Sequence, residues 1–165
     1  MNIKYIVIVQ GEPYSTFSEI IGKFLSKRKI KHKIIIIGNL VLFKKQLKKL
    51  NYSLVLNSID NYQEAIKMKI NFINIDFKGK KIFSKISYDS KKFISESFKL
   101  ALKILNDANG EGVLINGPVA KKTFLKKKYL GVTEYLAKKT NSSNEVMLIY
   151  NDKISVSPLT THIPL

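Results

Sequence analysis

The sequence predicts an α/β fold: a mostly parallel sheet with helices on both faces. Three observations carry this prediction. Strand-like and helix-like segments alternate along the chain. Several strand-like segments are continuous β-branched runs, as in strands buried on both faces, and do not alternate polar with apolar. Loops marked by glycine, proline or asparagine follow the strands.

Residues 3–9 form the first strand, with Ile3, Tyr5, Ile6, Val7, Ile8 and Val9 all β-branched or aromatic, and Gly11-Glu12-Pro13 breaks it. Ser15 or Thr16 caps a helix with Phe17, Ile20, Ile21, Phe24 and Leu25 on one face. Residues 33–37 are a second apolar strand ended by Gly38-Asn39, and residues 40–50 a helix with its lysines outward. Residues 53–56 and 70–75 read as further strands, followed by a turn at Lys78-Gly79-Lys80. The longest helix spans residues 90–109, where Ile94, Phe98, Ala101 and Leu105 recur at helical spacing and Asn109-Gly110 ends the pattern. Residues 112–115 are a strand entering Asn116-Gly117-Pro118. Short helices are expected over 119–127 and 134–139, and a hairpin over 146–150 and 153–157 across Asn151-Asp152. No internal repeat or low-complexity linker interrupts this order.

Composition narrows the function. An apolar share of 45% in 165 residues suits a folded chain with a sizeable core. The absence of cysteine excludes a disulfide framework, a thiolate metal site and a cysteine nucleophile, and it fits a reducing cytosol. The apolar N-terminal run is short and enters Gly11-Glu12-Pro13, so it reads as a strand and not as a signal peptide. No apolar run approaches the ~20 residues of a membrane-spanning helix. The formal charge is +17, yet the lysines are spread along the whole chain and Arg28 is the sole arginine. Nucleic-acid surfaces use arginine as well, so the lysines read as solvated faces that favour the approach of an anionic substrate.

Ligands of such sheets gather at the carboxyl ends of the strands. Three strand ends carry special loops: Gly11-Glu12-Pro13, Asn116-Gly117-Pro118 and Thr160-Thr161-His162. Pro118 suits a first helical turn, and a helix start there, with Lys121 within one turn, can hold a phosphate or carboxylate. An ordinary strand-to-helix turn with a surface lysine explains the same residues. Thr133 is an N-cap or a hydroxyl donor to a ligand. Glu12 and Glu19 read as a turn residue and a surface acid. His162, past a strand end, suits a metal ligand or proton-transfer group. A metal needs three or four ligands, and the other histidine, His32, lies far away in a lysine-rich stretch.

Taken in order, Gly11-Glu12-Pro13 with Glu19, Gly117-Pro118-Val119 with Lys121, Gly131-Val132-Thr133-Glu134, and Thr160-Thr161-His162-Ile163-Pro164-Leu165 resemble the 4-hydroxythreonine-4-phosphate dehydrogenase family. These are NAD-dependent enzymes of pyridoxine and pyridoxal phosphate biosynthesis. The resemblance spans essentially the whole chain but about the first half of a family member. It implies that residues 1–165 are the N-terminal portion of a longer two-domain dehydrogenase whose C-terminal NAD-binding portion is absent. The implied fold is isocitrate/isopropylmalate dehydrogenase-like, here incomplete. The implied reaction is oxidation and decarboxylation of 4-phosphohydroxy-L-threonine, with NAD and a divalent cation (Zn, Mg or Co) held by three histidines. His162 matches the first of these histidines, Thr133 matches a substrate-binding threonine, and Lys121 falls beside the phosphorylated substrate. The resemblance further implies a cytoplasmic homodimer. It places no catalytic residue within the chain, which by itself is expected to be inactive.

The departures are specific. Val132 stands where the family has a substrate-binding histidine, Tyr14-Ser15-Thr16-Phe17 replace glycines after Gly11-Glu12-Pro13, and Ala120 stands where asparagine or histidine is usual. Val132 leaves the alternative of a related dehydrogenase for another phosphorylated hydroxy acid, and the match to half a family member together with the +17 charge leaves that of a non-catalytic module that binds anions or nucleic acid.

Overall fold

Five strands form one parallel sheet, and their apolar runs explain why it is covered on both faces. The computed structural model describes residues 3–28, 30–79, 81–125, 128–143 and 145–158. The chain divides into two units, Met1–Ala120 and Lys121–Leu165. In the first unit the elements run β1 (Tyr5–Val9), α1 (Phe17–Lys27), β2 (Lys33–Gly38), α2 (Leu40–Lys49), β3 (Leu56–Ser58), β4 (Ile70–Asn74), α3 (Ser90–Asp107) and β5 (Gly112–Asn116). The sheet order is β3-β4-β2-β1-β5, every pairing parallel. The predicted α/β class with a parallel sheet is therefore observed.

Alternation along β1 and β2 sends residues to two different cores. Ile8, Ile34, Ile36 and Phe72 cluster with Phe17, Ile21 and Leu25 of α1 and with Phe43 and Leu47 of α2. Val7, Val9, Ile35 and Ile37, fully buried on the other parity, face the side on which α3 crosses β1, β2 and β5. That helix buries Phe93, Ile94, Phe98, Ala101 and Ile104. Helices thus cover both faces, as expected.

Several boundaries and faces differ from expectation. Ile20 and Phe24, expected on one face of α1 with Phe17, Ile21 and Leu25, are 55% and 49% exposed. The buried stripe is instead Phe17, Ser18, Ile21, Gly22 and Leu25. Gly22 lets this stripe pack closely: a Cβ there would sit 2.6 Å from the Tyr52 ring and 3.0 Å from Leu47. No cap bond comes from the Thr16 side chain; the neighbouring Ser15 hydroxyl accepts from the Phe17 N–H at 3.3 Å. The strand expected at 53–56 begins at Leu56, because Asn57 pairs with Asn71 across β3 and β4 and its amide donates to the Asn71 side-chain carbonyl at 2.9 Å. Positive φ at Asn109 (48°) and Gly110 (78°) closes the chain after α3, at the predicted place.

In the second unit the helix expected over 119–127 is replaced by a five-residue π-type turn, Lys121–Leu125. The next helix, α4, runs Val132–Thr140, two residues earlier than read, and its N-cap is Gly131 and not Thr133. Tyr135 packs edge-on against both Phe124 (5.1 Å) and Tyr129 (5.4 Å). Asn141, with φ 52°, ends α4 in the left-handed region. The predicted hairpin is present as β6 (Ile149–Tyr150) and β7 (Ser155–Val156), antiparallel and shorter than its apolar flanks. Asn151 and Ile154 close it by reciprocal backbone bonds of 3.0 and 3.2 Å.

Candidate functional site

The carboxyl ends of β1 and β5, adjacent in the sheet, bring two of the predicted loops together. Gly11 has φ 72°, and a Cβ on it would strike the Pro118 carbonyl oxygen and lie 2.8 Å from the Gly117 carbonyl carbon. A Cβ on Gly117 would in turn strike the Gln10 carbonyl and lie 2.8 Å from the Phe17 ring. The Gly117 N–H donates to Val9 O at 2.7 Å and the Glu12 N–H to Pro118 O at 2.8 Å. Glycine at both positions is what lets the backbones interlock. Pro118 therefore serves through its carbonyl, and the helix start expected behind it is absent.

A second tier of buried polar residues holds this edge. The Gln10 side-chain oxygen accepts from the Asn39 N–H at 2.9 Å. Asn39 caps α2 by accepting from Leu42 N–H at 2.9 Å and donates to Ile75 O at 3.0 Å. Gln46, fully buried on α2, donates to Pro13 O and Ile82 O, both at 2.9 Å, and accepts from the Ser18 hydroxyl at 2.5 Å. It thereby ties two loops to one helix. Its signal in the sequence is a lone amide at the helical spacing of Leu42, Phe43 and Leu47, where an apolar residue is expected.

Glu19 is the surface acid it was read as, whereas Glu12, read only as a turn residue, is buried. Glu12 is 1% exposed and both its carboxyl oxygens lack a hydrogen-bond partner among the described residues. Burial pushes its carboxyl above the usual glutamate range, and the nearby Ser90 hydroxyl opposes only part of that. The Ser90 hydroxyl itself donates to Ser87 O at 2.9 Å. An orphaned buried carboxyl at the ligand-binding edge of a parallel sheet is a functional signal.

The remaining predicted site residues lie in the second unit. Lys121 opens the π-type turn and is exposed, and Thr133 is half-buried in the first turn of α4 beside half-buried Val132. The Phe124–Tyr135 ring contact packs the turn bearing Lys121 against the helix bearing Thr133. His162, with all of Thr160–Leu165, lies outside the described residues. His32 is exposed. Among the described residues no group of three or more His, Cys, Asp or Glu side chains is placed to hold a metal. The metal expectation therefore rests on His162. No described helix is long and apolar enough to cross a membrane.

The family model described as pyridoxal phosphate biosynthetic protein PdxA matches residues 29–165. Similar curated proteins are 4-hydroxythreonine-4-phosphate dehydrogenases from Pseudoalteromonas atlantica, 25% identical over 100% of this chain and 51% of that protein, and from Sulfurihydrogenibium sp., 27% identical over 97% and 50%. The chain thus spans about half the length of the curated relatives it matches. The crystal structure of 4-hydroxythreonine-4-phosphate dehydrogenase from Klebsiella pneumoniae shares the fold, with a TM-score of 0.82 at 23% identity over 98% of this chain and 52% of that one.

Proposed function

Since the chain belongs to the PdxA family, we propose that it is the N-terminal portion of a two-domain, NAD-dependent dehydrogenase of pyridoxal phosphate biosynthesis. The substrate is 4-phosphohydroxy-L-threonine, which is oxidised and decarboxylated. The enzyme works as a cytoplasmic homodimer. The observation that carries this reading is the family match over residues 29–165, which takes in Gly117, Lys121, Thr133 and His162.

In this reading the Lys121 ammonium, exposed at the head of its turn, faces the phosphorylated substrate as a point charge. The Thr133 hydroxyl, in the first turn of α4, hydrogen-bonds the substrate. His162 is one ligand of a divalent cation, so most of the coordination sphere comes from groups outside this chain. The bound cation and NAD would supply a lowered hydroxyl pKa and a hydride acceptor. The interlocked loops at Gly11 and Gly117 hold the carboxyl edge of the sheet still, and Gln46 holds the loop at Pro13.

Val132 favours a second reading within the same chemistry. Valine offers no hydrogen bond where the family's histidine would, so a different phosphorylated hydroxy acid fits this position equally well. Steady-state kinetics on the complete gene product, comparing 4-phosphohydroxy-L-threonine with other phosphorylated 3-hydroxy acids, separates the two. The lowest KM and highest kcat/KM for 4-phosphohydroxy-L-threonine support the first reading. A better rival acid overturns it in favour of the second.

A further inference from the structure

A groove of about 450 Å³ opens at the amino ends of β2, β3 and β4. These strands begin at Lys33, Leu56 and Ile70, with Ile34 and Leu56 both paired to Ile70. The groove therefore lies at the opposite end of the sheet from the interlocked loops of Gly11 and Gly117. Its floor is apolar and continuous with the core. Half-buried Ile30, Leu54, Leu56 and Ile70 line it and pack against the cluster that holds Leu25 and Ile34. Val55 and Met68, 90% and 70% exposed, extend the apolar surface to the rim. The loop carrying Met68 is held in place. Met68 has φ 62°, a left-handed conformation rare for a long side chain. Fully buried Asn71 fixes the turn: its side-chain oxygen accepts from the Ile66 N–H at 3.0 Å, and its amide donates to Ile66 O at 3.0 Å and Lys69 O at 3.2 Å.

The charge of the groove is one-sided. Its lining holds two cations, Arg28 and Lys69, and no carboxylate. Neither cation makes an ion pair among the described residues. Arg28 is the sole arginine among 29 basic residues, and it stands at the groove as the C-cap of α1. A guanidinium grips a planar carboxylate with two parallel hydrogen bonds, which the point charge of a lysine does not. An apolar floor beside such a group is complementary to a ligand with an apolar chain and a carboxylate head.

We propose that this groove binds a long-chain carboxylate, with the chain along Ile30, Leu54, Leu56 and Ile70 and the carboxylate on Arg28 and Lys69. Its volume falls within the roughly 300–1,000 Å³ of small-molecule sites. The apolar chain supplies affinity that the head group alone lacks, since each buried methylene adds roughly fourfold.

Isothermal titration calorimetry of the full chain with dodecanoate, kept below its micelle concentration, tests this. Dodecanoate binds, and octanoate binds more weakly by roughly tenfold or more. Dodecyltrimethylammonium, with the same chain and a cationic head, does not compete. Arg28→Gln weakens dodecanoate by roughly tenfold or more, and Arg28→Lys restores only part of the loss. Val55→Glu places a carboxylate on the exposed rim and weakens dodecanoate as well, whereas Lys48→Gln, on the exposed face of α2 outside the groove, leaves it unchanged. Circular dichroism confirms the fold of each variant. Absent dodecanoate binding, equal binding of the cationic amphiphile, or binding unmoved by Arg28→Gln overturns the proposal. Self-association of the chain that Val55→Glu abolishes, with no dodecanoate bound, overturns it in favour of a second copy in the groove.

Discussion

Gly11 and Gly117 meet backbone to backbone, 106 residues apart in sequence, at the carboxyl ends of two neighbouring parallel strands. The left-handed Gly11 (φ 72°) places its α-carbon against the Gly117-Pro118 peptide, and Gly117 lies against Gln10 and Phe17. Register places the pair, since β1 and β5 align Val9 with Asn116 and both chains turn just beyond.

Substituting Gly11 by alanine combines a strained φ with a backbone collision. A loss of about 3 kcal/mol or more is expected, from about 1 kcal/mol for the φ and the remainder for displacing the Pro118 loop. Gly110→Ala is the matched control, because φ is 78° there and a Cβ meets nothing within 4 Å. It should cost about 1 kcal/mol. Urea unfolding of both variants measures the difference, and equal losses would show that the interlock contributes nothing.

Gln46→Leu preserves approximate shape but strands the Pro13 and Ile82 carbonyls and the Ser18 hydroxyl. The expected loss is about 2–4 kcal/mol. Hydrogen exchange should quicken first in the loops around Pro13 and Ile82. Unchanged exchange there would remove Gln46 from any role in positioning them.

Glu12 makes stability depend on pH in a defined direction. Its carboxyl is raised in the folded chain, mainly by burial, so the folded state holds the proton to higher pH than the unfolded state does. Its folded form is therefore favoured below the ordinary glutamate range, and that advantage is lost as pH rises from there through the raised value. Glu12→Gln cannot lose a proton. Relative to the native chain, the variant should gain stability as pH climbs through that window. Parallel pH–stability curves for the two proteins would contradict a buried, unpaired Glu12.

Much of this fold was legible because apolar runs and turn residues act locally. The strands around Val7, Ile35 and Phe72, the long helix ending at Asn109-Gly110 and the hairpin near Asn151 all follow from such signals. What was not legible depends on partners distant in the chain. The close packing of α1 depends on Gly22 against Tyr52, and the start of β3 on the Asn57–Asn71 bond. Likewise the loops at Gly11 and Gly117 were each recognisable as strand ends, but their interlock and the burial of Glu12 needed the sheet order. Thr133 and Lys121 were placed by motif, and their helix and turn begin elsewhere than periodicity suggested.

Val132 predicts a gain of function in the proposed reaction. Val132→His in the complete gene product should lower the KM for 4-phosphohydroxy-L-threonine by roughly tenfold, the worth of one good hydrogen bond to a charged group. Thr133→Val should raise it by a similar factor. A KM unmoved by either change would separate the first turn of α4 from substrate recognition.

The most direct measurement follows NADH formation from 4-phosphohydroxy-L-threonine by the complete gene product, with and without a chelator, alongside its His162→Ala variant. Chelator-sensitive NAD reduction that collapses in the variant is the predicted result. Absent NAD reduction with a folded protein and authentic substrate, or activity indifferent to both chelator and His162, would contradict the dehydrogenase reading of this chain.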